Sequence, residues 1–570
     1  MSARRGADRR HRRRDAASLP SLARRSARGI PDRPSKSHVS PAAGGGAETQ
    51  EHNQVAELAQ KPFPPGRYRL VLVGSGPGGL QLSYSLSRLG IDHAVLSDDA
   101  APGGMFRRWP VFQRMLSWTK PFTGVPRTSR AYERYDWNSL IPEEDAHRAI
   151  MPPLMDGTSY FPSRPEMQKG LETFAERTGI RVRYGCHWES TRAIPSPARG
   201  GGQGGGQEFV LTTSDGEYRA PVVVFAVGVA HPYRPPIPGL DQVPHYGDFR
   251  PVESYKDHRV FIVGKQNSGF EIATGLLPWA RQLVLASPGA TKLSVNTRTL
   301  VGVRARYVQP YEDAALAGGV IILDTTIEEV RQEGAGFIVR TRNATDGREL
   351  PMAADDVIAA TGFVSPLRDL PALGVATFGQ SHLPAQTPFW ESATVPGLFF
   401  AGTLNQGSPG LKKHGIPSNS GAVQGYRYNA RVLARHLAET RFDVRIPRPQ
   451  LQPAETVRFL LNELSHGPEL WHQRSYLARV VHVDGDRGIS DEGILPLSYF
   501  IDAGGPDAVA VALESNGQGD PYPAVYLRKN GVVSERLLAP HPLLDFTGTQ
   551  YQRELGGILD PVLSASPSPA

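Results

Sequence analysis

Two glycine-rich turns of one kind carry the chemistry open to this sequence. The first closes the apolar run Leu70-Val71-Leu72-Val73 as Gly74-Ser75-Gly76-Pro77-Gly78-Gly79. The second closes Val260-Phe261-Ile262-Val263 as Gly264-Lys265-Gln266-Asn267-Ser268-Gly269. A strand feeding such a turn, with a helix after it, lets bare backbone N–H groups and a helix N-terminus meet a pyrophosphate. One turn reads as one dinucleotide. Two, separated by more than a domain's worth of chain, read as two different dinucleotides held face to face, and the chemistry of that arrangement is electron transfer between them. Gly74, Gly76 and Gly79 fall on the three fingerprint positions: tight turn, close approach of backbone to pyrophosphate, close packing of helix on strand. The acid that bonds a ribose is displaced: its position falls on Ser97, and Asp98 and Asp99 follow.

Each turn needs elements to position it. From Tyr68 to Ser97 the pattern is strand, turn, amphipathic helix (Leu80, Leu82, Leu86, Leu89), Gly90 as a stop, then strand Ala94-Val95-Leu96, a βαβ unit. Ser163, with Pro165 and Glu166 behind it, is a helix N-cap. Residues 181–188 alternate like a strand, with an antiparallel partner at Phe209-Val210-Leu211 across the glycine–glutamine stretch 200–207. Further strands are expected at 222–226, 283–285, 356–360 and 398–401, and a helix through Glu271-Ile272-Ala273. A helix over about 421–437 has Ser418, Asn419 and Ser420 as candidate caps. Beyond Pro447 a helical 457–464 gives way to alternating segments with Gly-Asp, Gly-Gly and Asn-Gly turns, and then a Ser-Pro tail, which reads as a separate, mostly β, C-terminal domain.

Composition narrows the chemistry. The 570 residues are 39% apolar and 21% charged, ordinary for a globular protein of two to four domains. No apolar run reaches spanning length, so no membrane span and a cytoplasmic location are expected. The single cysteine, Cys186, excludes an internal disulfide framework and a Cys-x-x-Cys relay. The net charge of +7 owes much to Arg4, Arg5, Arg9, Arg10, Arg12, Arg13 and Arg14. This arm lacks the apolar region of a secretory signal and reads as a disordered tail rather than a nucleic-acid-binding arm. No metal site is expected.

Ala101-Pro102-Gly103-Gly104-Met105-Phe106-Arg107-Arg108-Trp109 follows the displaced acids. Later come Phe161-Pro162-Ser163-Arg164-Pro165-Glu166, the strand at 222–228, Asn267-Ser268-Gly269-Phe270-Glu271, Ala360-Thr361-Gly362 and Gly397-Leu398-Phe399-Phe400-Ala401-Gly402. In this order, over about residues 66–440, the chain resembles the flavin-containing monooxygenase family. Tyr135-Asp136-Trp137-Asn138-Ser139-Leu140 and Leu461-Asn462-Glu463-Leu464-Ser465 look most like the subgroup of endoplasmic-reticulum FAD-dependent oxidoreductases. The resemblance implies an α/β fold of two Rossmann-like dinucleotide-binding domains plus the small β-rich one. The expected division is a disordered Arg-rich tail over 1–62, an FAD-binding domain in two parts (63–255 and 365–447), an NADPH-binding domain inserted over 256–364, and the C-terminal domain over 448–560.

By the same resemblance FAD is held by Gly74, Gly76, Pro77, Gly78, Gly79, Ser97, Asp98, Gly104, Gly402 and Thr403, the last standing where the family has Asp. NADPH is held by Gly264, Gln266, Asn267, Ser268, Gly269, Ser287, Lys292, Thr361 and Gly362. Gln266, in place of the middle glycine, suits a looser, exchangeable nucleotide. Ser287 falls on the ribose-reading position, with Lys292 and Arg298 soon after, and the missing acid favours NADPH over NADH.

The oxygenase fingerprint Phe-x-Gly-x-x-x-His is not intact: the region reads His245-Tyr246-Gly247-Asp248-Phe249-Arg250-Pro251. N-hydroxylation, heteroatom oxygenation and plain NADPH oxidation stay open. Arg107, Lys120 and Arg427 are candidates to bind a substrate carboxylate, with Arg108, Trp118 and His414 near them in sequence. The implied reaction is NADPH-consuming oxygenation through a flavin C4a-hydroperoxide, with O2 and a small amine or amino acid as partners and no nucleic acid. A specific candidate is L-aspartate to nitrosuccinate, as in the N-monooxygenases of specialised metabolism. A homodimer is left open, as are two other readings: an NAD(P)H-dependent flavin reductase without oxygen insertion, and a non-catalytic, partner-binding flavoprotein.

Overall fold

The computed structural model describes residues 61–563 except 113, 196–206, 298–301, 312–318, 409, 412, 416 and 485–487. The Arg-rich arm, most of the glycine–glutamine stretch, Arg298, the Ser-Pro tail and the side chain of His414 lie outside the described residues.

The first sheet is parallel throughout. Its strands run in the order β14 (Leu398–Phe400), β7 (Val222–Phe225), β1 (Leu70–Val73), β2 (Ala94–Ser97) and β3 (Arg183–Tyr184). All four residues of β1 are buried, as are those of β2 and β7. A parallel strand covered on both faces must be apolar throughout, which is why these segments read as unbroken hydrophobic runs. Helix α1 (Pro77–Arg88) follows the first turn. Helix α2 (Arg164–Thr178) begins at Ser163 with a full capping box: the Ser163 hydroxyl accepts from Glu166 N–H, and the Glu166 carboxylate accepts from Ser163 N–H.

One strand differs from its sequence reading. The chain turns at Gly185, so Arg183–Tyr184 joins the parallel sheet and only β4 (Trp188–Pro195) pairs antiparallel with β5 (Gln207–Thr213). β5 in turn pairs with β6 (Gly216–Ala220).

The second sheet repeats the scheme. β13 (Asp356–Ala359), β8 (Arg259–Val263), β9 (Gln282–Ser287) and β10 (Val320–Glu333) are parallel, and β11 (Gly336–Asn343) and β12 (Glu349–Ala354) extend it antiparallel. Helix α3 (Asn267–Leu276) follows the second turn.

The long helix α4 (Val423–Arg441) packs on α1 through Leu433, Ala434 and Leu437. Its N-cap is Ala422, without a side-chain cap. Ser418, Asn419 and Ser420 therefore do not cap it; the Asn419 and Ser420 side chains are engaged elsewhere, as shown below.

The C-terminal sheet is antiparallel: Gln450–Leu451, β16 (Gly488–Pro496), β15 (Leu477–Asp484), β17 (Ala508–Ser515), β18 (Pro521–Lys529) and β19 (Val532–Leu537). One face is covered by α5 (Pro453–His466), the short α6 (Pro468–His472) and a closing helix α7 (Thr549–Leu563), with Leu460, Leu464, Leu555 and Leu559 in a common core with Val509 and Val525. The sequence reading has no counterpart of α7. Among the described residues no helix is long and apolar enough to cross a membrane.

Candidate functional site

The first turn is shaped by close approaches. Gly74 has φ +114°, and a Cβ there would lie 2.6 Å from the Ala226 carbonyl oxygen. A Cβ on Gly79 would lie 2.0 Å from the Gly74 carbonyl oxygen, and one on Gly78 would lie 2.4 Å from Gly402 Cα. These positions hold α1 against β1 and against the end of β14. Gly76 is different: a Cβ there would meet no protein atom within 4 Å. It opens into a cleft of about 560 Å³ that Gly74, Pro77, Gly78 and Gly104 also line. A backbone left bare beside free volume, at the head of a helix, fits a pyrophosphate.

Ser97 and Asp98 stand at the edge of the same cleft. Ser97 is buried, with its hydroxyl 2.8 Å from that of Ser75 and accepting from Asp99 N–H at 3.2 Å. The Asp98 side chain is mostly exposed, 3.5 Å from His187. Gly402 lines the cleft from the other strand, and Thr403 lines both this cleft and a second one of about 500 Å³. Thr403 thus marks where the two volumes meet.

The second turn repeats the packing: a Cβ on Gly269 would lie 2.3 Å from the Gly264 carbonyl oxygen. Asn267 and Ser268 line the second cleft, while the exposed Gln266 sits in extended backbone at the head of α3. The Asn267 side chain is committed to protein. Its amide donates to Gly302 O at 3.0 Å, and its oxygen accepts from Arg304 N–H at 3.1 Å. That brings Arg304, absent from the sequence reading, to the cleft wall, where burial lowers its guanidinium pKa. Ser287 ends β9 and Lys292 is exposed on the loop beyond, both outside the two clefts. Thr361 donates to Tyr233 O at 2.5 Å, and Gly362 turns the chain so that Phe363 lines the second cleft.

The expected carboxylate-binding cations do not come together. Arg107 and Lys120 are exposed and line neither cleft. Arg427 is fully buried and serves the fold. Its guanidinium donates to Asp136 O (2.8 Å), Ser139 O (2.6 Å), Glu133 O (2.9 Å) and the Tyr428 hydroxyl (3.0 Å). Three backbone carbonyls leave it no face toward a substrate. Arg108, rather than Arg107, lines the first cleft.

The second cleft is walled largely by Met105, Phe106, Trp109, Tyr246, Tyr307 and Phe363. Among the described residues its one carboxyl group is Glu271, buried on α3. Tyr246 donates to Glu271 at 2.8 Å and accepts from Val111 N–H at 2.9 Å; Phe112 N–H reaches Glu271 at 3.4 Å. The pair joins the segment after the Gly103-Gly104 turn to the helix after the second turn. Burial pushes the Glu271 carboxyl up to about 7, while Tyr246, the Phe112 N–H and Arg306 pull the other way.

A carboxyl whose pKa is higher folded than unfolded costs stability as it ionises. Below pH 4.5 the cost is absent. Between the ordinary value of 4.5 and about 7 the unfolded chain gives up the proton first, and stability falls by about 3 kcal/mol. Above pH 7 the loss is complete. Denaturant titrations from pH 4.5 to 8 are expected to show this decline in the wild type and to lose most of it in Glu271→Gln.

A family model described as pyridine nucleotide-disulphide oxidoreductase matches residues 71–402, the span holding both turns. The chain is 26% identical over 439 residues to FAD-dependent oxidoreductase domain-containing protein 2 of Mus musculus, covering 72% of this chain and 64% of that protein. To the protein of the same name in Danio rerio it is 24% identical over 502 residues, 75% of this chain and 70% of that one. To flavin-containing monooxygenase FMO GS-OX4 of Arabidopsis thaliana it is 25% identical over 297 residues, 47% and 61%. The chain therefore spans a little under two thirds of the mouse relative. With one cysteine in 570 residues, it has no second thiol with which to form a disulfide of its own. A match over more than half the chain, on a fold with two nucleotide turns opening into adjoining clefts, makes this chain a member of the pyridine nucleotide-disulphide oxidoreductase family, flavoproteins that take FAD and NAD(P)H.

Proposed function

We propose that the chain is an NADPH-consuming flavoprotein monooxygenase that puts one oxygen atom of O2 onto the nitrogen of a small amine and reduces the other to water. Bound FAD supplies a two-electron store that takes hydride from the nicotinamide and reacts with O2. The chain's own residues bind, orient and exclude water. Gly76 and the head of α1 take the FAD pyrophosphate, Thr403 the chain leading to the flavin ring, and Asn267, Ser268 and the head of α3 the nicotinamide nucleotide. Ser287, in place of an acid, supports NADPH over NADH.

The observation that carries the reading is the second cleft. It is lined by Asn267 and Ser268 of the second turn, adjoins the first cleft at Thr403, and is walled mostly by apolar and aromatic side chains, a setting that keeps water from a reactive oxygen species. The same lining bears on the substrate. Arg107, Lys120 and Arg427 lie elsewhere, so the residues first expected to hold an aspartate do not support that substrate; a carboxylate in this cleft would instead meet Arg114 and Arg304, while the aromatic remainder of the wall suits an amine on an apolar body. The similarity to a named flavin-containing monooxygenase supports oxygenation in general.

The test is NADPH oxidation by the purified FAD-loaded protein under 18O2 with a panel of alkyl and aryl amines. One labelled oxygen atom in the product per NADPH is the expected result. NADPH loss matched by hydrogen peroxide with every amine, and no label in any product, overturns the proposal in favour of a flavin reductase.

A further inference from the structure

The C-terminal segment has no nucleotide turn, yet it is bonded to a loop that walls the second cleft. One wall of that cleft is built by Pro417, Ser418, Asn419 and then Gly421 to Gln424, the approach to α4 and its first residues. Since α4 has no side-chain cap, something else must set where its first turn lies. The bonds that do so come from α6 and the residue after it. Asn419 donates its side-chain amide to His472 O at 2.6 Å. Gln473 is fully buried, with its amide in full use. Its oxygen accepts from Asn419 N–H at 3.0 Å, and its nitrogen donates to the Ser420 hydroxyl at 3.1 Å and to Asn429 Oδ1 at 2.7 Å. Asn429, on α4 itself, closes the ring by donating to the Ser420 hydroxyl at 3.0 Å.

A second tie lies upstream on the same loop. Lys413 is held by Glu514 of β17, fully buried, at 3.1 Å, by the Tyr526 hydroxyl of β18 at 2.7 Å and by Glu535 of β19. Between Lys413 and Ser420 the loop is therefore fastened at both ends to the C-terminal domain. Gly410 adds a close fit, since a Cβ there would lie 2.6 Å from the Tyr476 ring.

We propose that the C-terminal domain is a working part of the cofactor site, with Gln473, the residue after α6, as the positioning residue that fixes the 417–424 wall of the second cleft. A buried amide with every bond made specifies one arrangement of its partners, and losing it orphans two of them at once, Asn419 N–H and Asn429 Oδ1. The loosened wall would be the head of α4, whose Val423 and Gln424 line the cleft. This role rests on the reading that the second cleft holds the flavin ring, but not on the reaction being an oxygenation.

The experiment compares Gln473→Leu, Gln473→Glu and a control, Leu559→Ala, in the FAD-loaded full chain. Leu559 lies on α7, buried in the core of the same domain, and is tied to none of the loop residues. Readouts are peptide-level hydrogen exchange over 417–424 and the FAD dissociation constant by flavin fluorescence. In Gln473→Leu, exchange over 417–424 is expected to quicken, and FAD to bind more weakly, each by about tenfold. Gln473→Glu keeps the acceptor for Asn419 N–H but sets a buried carboxylate against Asn429 Oδ1, and is expected to change both readouts in the same direction. Leu559→Ala is expected to lower the melting temperature without altering either readout. Unchanged exchange and FAD affinity in Gln473→Leu, or equal changes in Leu559→Ala, overturn the proposal. Both readouts hold whether or not any amine is oxygenated, so failure here is distinct from failure of the proposed reaction.

Discussion

Gly76→Ala is expected to purify colourless and to melt, as the apo protein, where the wild-type apo protein melts. The two halves of that result have separate causes. No protein atom lies within 4 Å of the added methyl group, so the fold loses nothing. The methyl instead takes up the volume beside the helix head, where the pyrophosphate would lie against bare backbone. Overpacking of a close contact costs about 1–3 kcal/mol, or about 5- to 150-fold in affinity. Gly79→Ala is the counterpart. Its Cβ would lie 2.0 Å from the Gly74 carbonyl oxygen, so α1 must lift from β1 before any cofactor arrives. That variant is expected to lose apo stability as well as colour. The checks are the flavin absorbance of the purified proteins, FAD titration of the apo forms and thermal melts without FAD. If Gly76→Ala stays yellow with unchanged FAD affinity, the first cleft is not the FAD site.

What could be read from the sequence was what local chain chemistry decides. The runs Leu70–Val73 and Val260–Val263 are short, wholly buried and break at a glycine, so composition and position agree. The Ser163 cap is equally local, since its partner Glu166 is three residues on. Long-range partners were not legible. Asn419 and Ser420 have the composition of caps, but their bonds go to His472 and Gln473, more than fifty residues away. Arg427 looks like any helical arginine until Asp136, Ser139 and Glu133 bring their carbonyls to it. Arg304 enters the second cleft because Asn267, thirty-seven residues earlier, accepts from its backbone. Helix α7 carries Gly556, Gly557 and Pro561, which lower helix propensity; burial of Leu555 and Leu559 against the sheet overrides it. The nucleotide turns were legible and the cleft between them was not, because its wall is assembled from segments some 300 residues apart.

The other large effect is expected at Arg130, where the segment after β2 meets the C-terminal helices. Its guanidinium is shared by two carboxylates that are almost entirely buried. It donates to Glu463 at 2.8 and 2.9 Å, and to Glu469 at 2.6 and 3.3 Å. Arg431 stands 3.5 Å from Glu469 and Arg479 stands 3.6 Å from Glu463, neither replacing the paired geometry. Removing one member of a buried ion cluster leaves charge without compensation, which costs about 3–5 kcal/mol. Arg130→Met is therefore expected to lower unfolding stability by about that much at pH 7. The acid limb supplies the sign. Burial alone would raise the Glu469 carboxyl, but Arg130 and Arg431 more than offset it and hold it below its ordinary value. A carboxylate with a depressed folded pKa stabilises above its unfolded pKa and loses that contribution as pH falls through the folded one. In Arg130→Met the depression is weakened, and protonation removes the unpaired charge. The gap between variant and wild type is thus expected to narrow as the pH is lowered through 4.5. Arg130→Met combined with Glu469→Gln is expected to recover part of the loss at pH 7, because the second change takes away the charge that the first left exposed to a dry interior. Urea titrations of the wild type and the two variants at pH 4 and pH 7 measure all three terms, and a gap that widens in acid would show that the cluster is held by something other than charge.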